Sequence, residues 1–113
     1  MELLILIIKE VEIVGELMEE LAEAGIPGGT ILNSTGMAGA IEAMDDAPFF
    51  GVLRKNFDDD FIREHSKTLM FVLTEEEVET ARKIIRKKVG DLSRPDTGIM
   101  FALPISFVEG FGG

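Results

Sequence analysis

The chain contains no cysteine, no tryptophan and no tyrosine, and only one histidine, His65. Without cysteine there is no disulfide framework, no thiolate metal site and no cysteine nucleophile; this fits a reducing compartment, and a cytoplasmic location is expected. A single histidine would have to serve every role in a Ser-His-Asp arrangement, and none is evident around Ser34, Thr35 or Ser66. Basic residues are scarce as well: 11 Lys and Arg stand against 21 Asp and Glu, a formal net charge of −10. A nucleic-acid duplex is therefore not an expected partner, because phosphate contacts need a concentrated basic face. Long apolar runs are also missing. Leu3 to Ile8 is apolar, but it is too short to cross a bilayer and is followed at once by Lys9, Glu10 and Glu12. Membrane insertion is not expected. No Walker motif and no dinucleotide fingerprint occurs, so the chain does not read as an enzyme.

What is present suits one compact domain over residues 1–113, large enough to bury a core without covalent staples. Glu2 to Lys9 reads as a strand with almost no polar interruption, the pattern of a strand covered on both sides or lying at a subunit contact. From Val11 the period changes, and Val14, Leu17, Met18 and Leu21 fall at helical spacing, opposite Glu16, Glu19, Glu20 and Glu23. Gly25 ends this helix, and Thr30 to Ser34 reads as a second strand. Lys67 to Leu73 is a third strand. Thr74 and Glu77 then stand at capping-box spacing before a helix that Gly90 stops, and Ile99 to Leu103 is a fourth strand. The order strand, helix, strand, long loop, strand, helix, strand predicts a ferredoxin-like α+β sandwich, a four-stranded antiparallel sheet with both helices on one face. The other sheet face would then need cover, and a closed symmetric oligomer supplies it most simply.

Between Thr35 and Glu64 the periodicity fails, leaving Gly36, Gly39, Pro48 and Gly51 and an acidic run at Asp58 to Asp60. A connection of this length inside a small domain usually carries function. Within it, Phe49 to Leu53 reads as a short extra strand or a docking patch, and Asp58 to Arg63 as a helical turn. Met37, Met44 and the Phe49-Phe50 pair either fold back on the domain or form an apolar surface for a protein partner. The acidic run lacks the alternating ligands and sharp glycine turn of a calcium loop, so it reads as solvated surface.

Arg82, Lys83, Arg86, Lys87 and Lys88 crowd the second helix, which runs into Gly90-Asp91. Two readings stay open at this point. The basic residues and Gly90 complement the helix dipole and stop the helix, or they join the backbone N–H groups of the turn to hold a small anion.

The whole series resembles the nitrogen regulatory P-II superfamily of trimeric small-molecule sensors. The resemblance rests on the Leu3 to Lys9 strand, the Glu-rich helix ending in Ala24-Gly25-Ile26, the Thr30 to Ser34 strand ending at Gly36, the long excursion, Gly90-Asp91, and Gly98-Ile99-Met100-Phe101. It implies a homotrimer with a small anionic ligand, ATP, ADP or AMP, in clefts between subunits, and a loop over about residues 36–64 that reports the ligand to a protein target. The residues it points to for ligand binding are Gly36, Met37, Ala38 and Gly39 at the loop root, with Lys88, Gly90, Asp91, Arg94 and Gly98. Some positions differ from the family pattern: Ile99 stands where ATP-binding members carry Lys, and no tyrosine is present to accept uridylylation. The ending Gly98 to Ile105 is also similar to P-II-like cyclic-di-AMP receptors, the alternative ligand class. A CutA-like divalent-cation tolerance protein would share the fold and trimer, but one histidine and no cysteine give it little metal chemistry.

Overall fold

The structure is a computed structural model, and it describes residues 1–37, 66–94 and 97–110. Its elements run β1 (Glu2–Ile8), a 3-10 turn (Val11–Ile13), α1 (Val14–Glu23), β2 (Gly29–Ser34), β3 (Ser66–Leu73), α2 (Glu75–Val89) and β4 (Gly98–Pro104). The strands lie in the order β2-β3-β1-β4, every neighbouring pair antiparallel. A small α+β protein with a four-stranded antiparallel sheet and two helices is what the sequence pattern predicts, and the arrangement is compatible with a ferredoxin-like fold.

Alternation along the strands decides which face the helices cover. Leu4, Leu6 and Ile8 of β1 and Leu69, Phe71 and Leu73 of β3 point to one side, where they meet Val14, Leu17 and Leu21 of α1 and Val78, Ala81, Ile85 and Val89 of α2 in one core. Leu4, Leu6, Ile8, Leu17, Leu21, Leu69 and Ile85 are almost completely buried. Each such side chain contributes about 1.5–3 kcal/mol relative to exposure. The helix α2 begins on the capping box expected from the sequence: Glu77 N–H donates to Thr74 Oγ1 and Thr74 N–H donates to the Glu77 carboxylate.

Several boundaries differ from expectation, and β2 and β3 each begin one residue earlier, at Gly29 and Ser66. The first strand stops at Ile8 rather than Lys9, because Lys9 N–H turns to the Thr97 carbonyl at 3.1 Å. Val11 to Ile13 forms a tight 3-10 turn before α1 takes up the α-helical ladder. The fourth strand extends over Gly98 and Pro104, which pair with Ile8 and Glu2 of the central strand.

Among the described residues, no helix covers the opposite sheet face. Leu3, Ile5 and Ile7 of β1 and Met70 and Val72 of β3 lie half-buried across its middle, flanked by exposed Leu32 of β2 and Ile99, Phe101 and Leu103 of β4. Its end near Ser34 is polar: Thr68 Oγ1 donates to Ser34 Oγ at 2.8 Å, and the Ser34 and Ser66 hydroxyls are 2.7 Å apart. No helix among the described residues is long and apolar enough to cross a membrane.

Candidate functional site

A groove of about 980 Å³ lies on the helix-bearing side, between α2 and the edge strand β4. It exists because α2 packs over β1 and β3, leaving the helix-side residues of β4 without a helix above them. Met100 and Ala102, with Leu4 beneath, form its apolar floor, and Val78, Arg82 and Arg86 stand along the α2 wall. Gly90 to Ser93 close one end, and Glu2, Glu75 and Glu79 line the other. A volume of this size suits a small-molecule ligand.

The closing turn is built by Gly90 and Thr97. Gly90 ends α2 with φ 84° and ψ −150°, a positive φ that side chains resist, and its N–H is spent on the Arg86 carbonyl at 2.9 Å. Ser93 donates to Asp91 Oδ1 from its hydroxyl at 2.7 Å and from its backbone N–H at 2.9 Å. These two hydrogen bonds, with a smaller contribution from the Arg94 cation, hold the Asp91 carboxyl below its ordinary value. The buried Thr97 hydroxyl is placed to donate to the carbonyls of Leu92 at 3.2 Å and Arg94 at 2.8 Å, bracing the turn from behind. Among the described residues, the N–H groups of Asp91 and Leu92 have no acceptor. Two free N–H groups beside an arginine form an environment able to receive an anion.

Arg82 and Arg86 differ in availability. Arg82 Nη1 pairs with Glu79 Oε1 at 2.8 Å, one helical turn before it. Arg86, Glu2 and Glu75 have no ion-pair partner among the described residues. One wall therefore presents an unopposed cation near the turn and unopposed carboxylates at the far end.

The residues singled out from sequence do not all meet. Gly90 and Asp91 line the groove, and the Arg94 guanidinium comes up against Gly90. Lys88 is turned away toward α1, where its Nζ lies 3.2 Å from Glu16 Oε2 and 3.8 Å from Glu20 Oε2. The hydrogen bond to Glu16, with the charges of Glu20 and Glu16 behind it, raises its pKa above the ordinary lysine value. Gly98 begins β4 under the turn, with no room for a side chain beside the Ile7 carbonyl. Gly36 and Met37 follow β2, on the far edge of the sheet but at the same end as Gly98, since Ser34 pairs with Ser66 and Lys67 and Gly98 both pair with Ile8. Met37 is 79% exposed. Ala38, Gly39, the expected strand at Phe49 to Leu53 and the helical turn at Asp58 to Arg63 lie outside the described residues.

Thr97 is a group that the sequence reading does not name, and Arg86 is named there only as one of five basic residues on the helix. Arg86 could have been found from spacing, since it falls at i+4 from Arg82 on the same helix face and four residues before Gly90. Thr97 gives no such signal.

A four-stranded antiparallel sheet with two helices on one face and a charged groove beside an edge strand defines the class that the coordinates support. No family model matches the chain, and no curated protein matches it. Among solved structures, it is similar to a functionally unknown protein from Pediococcus pentosaceus ATCC 25745, at 18% identity and a TM-score of 0.61, covering 97% of this chain and 96% of that one. At that identity the likeness is one of fold.

Proposed function

We propose that the chain is a P-II-like regulatory protein, a homotrimer without enzymatic activity, that binds a small anionic ligand between subunits. The ligand is an adenine nucleotide, and the loop over residues 36–64 reports its presence to a protein target. The observation that carries this reading is the groove, which Arg86 and the turn bearing the free Asp91 and Leu92 N–H groups both line, beside a strand edge that is open among the described residues. Arg86 takes the role of charge donor, and Lys88 that of a strut between the helices.

The position of the loop root favours a site shared between copies. Gly36 and Gly98 stand at one end of the sheet but on opposite edges, separated by three strand spacings, about 14 Å. A copy added head to tail, with its β2 edge against β4, would bring its own Gly36 and Met37 to the groove. The apolar open face, with Leu32, Ile99, Phe101 and Leu103 exposed, gives the reason to associate. A ligand contacting both copies would then favour one loop state over another by as much as its contacts differ between them.

Calorimetric titration of the purified protein with ATP, ADP, AMP and cyclic-di-AMP, with and without Mg²⁺, tests this. One ligand per chain is expected, with affinity falling at least about tenfold in Arg86→Ala, as for loss of a charge-assisted hydrogen bond, and unchanged in Lys88→Ala. Saturable binding of cyclic-di-AMP alone would select the alternative receptor class. Failure of all four ligands to bind would overturn the nucleotide reading.

A further inference from the structure

The groove is electrically two-ended, and an anion would use only one of its ends. On the α2 wall, Glu79 and Arg82 neutralise each other at 2.8 Å. What remains at the turn is Arg86 with the two free N–H groups, beside an Asp91 carboxylate that already accepts two hydrogen bonds from Ser93, and at the opposite end Glu75 and Glu2, both without an ion-pair partner among the described residues. Glu2 joins Glu75 there because β1 begins where α2 begins: Glu2 pairs with Leu73, two residues before Glu75. The eleven residues from Glu75 to Arg86 rise about 16 Å along the helix, and side chains leaning inward shorten the gap a ligand must span. Between the two ends the floor is apolar, made by Leu4, Val78, Met100 and Ala102.

From this we infer that the ligand carries an amino group as well as an anionic group, joined by an apolar or aromatic spacer. The anion sits at Arg86 and the Asp91 and Leu92 N–H groups; the amino group donates to the carboxylates of Glu75 and Glu2. The inference rests on the ligand-binding reading above and adds a chemical demand at the other end of the same site. An ionised carboxylate only accepts hydrogen bonds, so it favours an amine and rejects a carbonyl oxygen at that position. For a purine nucleotide this separates an adenine, with its exocyclic amine, from a hypoxanthine, with a carbonyl in that place. An aliphatic amine would meet the same demand and would add a charge.

The test is a paired titration of the full chain. ADP is compared with inosine diphosphate, and 6-aminohexyl phosphate with hexyl phosphate, in the native protein and in Glu75→Ala, Glu2→Ala and Arg86→Ala. The amino member of a pair should bind at least about tenfold more tightly, as for a hydrogen bond to a charged group. Glu75→Ala and Glu2→Ala together should reduce that preference to near unity while sparing the weaker member. Arg86→Ala should weaken both members alike. Glu75 is neither partner of the capping box, so its replacement leaves the start of α2 intact. Failure of both nucleotides with an amino preference kept in the alkyl phosphates would sink the nucleotide reading and sustain this one. Equal binding within every pair, no binding of any probe, or an amino preference unmoved by the two glutamate variants would overturn it.

Discussion

Replacing Gly98 by Ala should be among the most damaging single-methyl additions in the chain. Gly98 has φ 155°, and a Cβ built there would overlap the Ile7 carbonyl oxygen and come within 3.2 Å of the Ile8 Cα. Those atoms are backbone of the central strand, paired on both sides, so they have nowhere to go. The strained backbone costs about 1–3 kcal/mol and the forced contact about 1–3 kcal/mol more. A loss of about 4 kcal/mol is a large part of the 5–15 kcal/mol that stabilises a typical domain, on the order of a third or more. Urea unfolding followed by circular dichroism reads it: with a slope of about 2 kcal/mol per molar, the midpoint should fall by about 2 M. Gly15→Ala is the control, because Gly15 lies in α1 with nothing within 4 Å of an added Cβ; it should gain about 0.5 kcal/mol from helix propensity. Both are measured at one protein concentration, since association shifts apparent stability. If Gly98→Ala unfolds within about 0.5 kcal/mol of the native chain while Gly15→Ala behaves as expected, the close approach of β4 to β1 is not as described. On the proposed ligand site, the same variant should also lower affinity, because Gly98 starts the strand under the turn over residues 90–93.

Two shorter predictions concern the open face and the turn. Phe101→Glu puts a charge in the middle of the exposed apolar face, and if the proposed association uses this face, light scattering should report a smaller species than for the unaltered chain with the circular dichroism spectrum retained; an unchanged mass would mean that this face is not the contact. Asp91 has a folded pKa lowered chiefly by the Ser93 hydroxyl, so its contribution to stability is present above its ordinary value of 3.8 and is lost as pH falls through the lower folded value. Asp91→Asn should accordingly flatten the acid limb of urea midpoints measured below about pH 4, and an unaltered limb would dissociate the turn from acid sensitivity.

The fold was legible because its cues are local and repeated. The period of α1, the capping box of α2 and the short continuous apolar runs of β1 and β3 each specify an element without help from the rest of the chain. Element ends were less legible where distant partners decide them: Lys9 leaves β1 because Thr97, 88 positions later, takes its N–H. The site was harder for the same reason. Sequence puts Lys88 two residues from both Arg86 and Gly90, but two helical residues are a turn of about 200°, and Lys88 faces α1 while Arg86 and Gly90 line the groove. Linear proximity to a loop therefore misled where helical periodicity, applied to the basic residues as it was to the apolar ones, would have separated the two. The acidic end of the groove could not be read at all, because it joins Glu2 to Glu75 through strand pairing. The open face follows from the predicted element order, which puts both helices on one side of the sheet; what the structure adds is which side chains stand there, Leu32, Ile99, Phe101 and Leu103 being exposed among the described residues.

Whether copies meet edge to edge, and in which sense, can be settled with cysteine because the chain has none of its own. Through the paired registers Ile31 aligns with Leu69, Leu69 with Leu6 and Leu6 with Met100, so Ile31 and Met100 share a level and a face at opposite edges of the sheet. Within one copy they are about 14 Å apart, three strand spacings, and a disulfide needs Cα atoms within about 7 Å. An Ile31→Cys, Met100→Cys double variant therefore cannot close on itself. In a head-to-tail ring the β2 edge of each copy lies along the β4 edge of the next, the strands run antiparallel when the symmetry axis follows them, and Gly36 and Gly98 stay at the same end. Mild oxidation should then give covalent trimers on denaturing gels, with neither single variant cross-linking; an Ile31→Cys, Ala102→Cys pair covers a shift of two residues in register. A twofold contact makes the opposite prediction, because like edges meet: the Met100→Cys or Ile31→Cys variant alone would form a covalent dimer, and no trimer would appear from the pair. That result would separate Gly36 from the groove by the width of the sheet, and a ligand held by Arg86 could no longer touch Gly36 or Met37 of any copy.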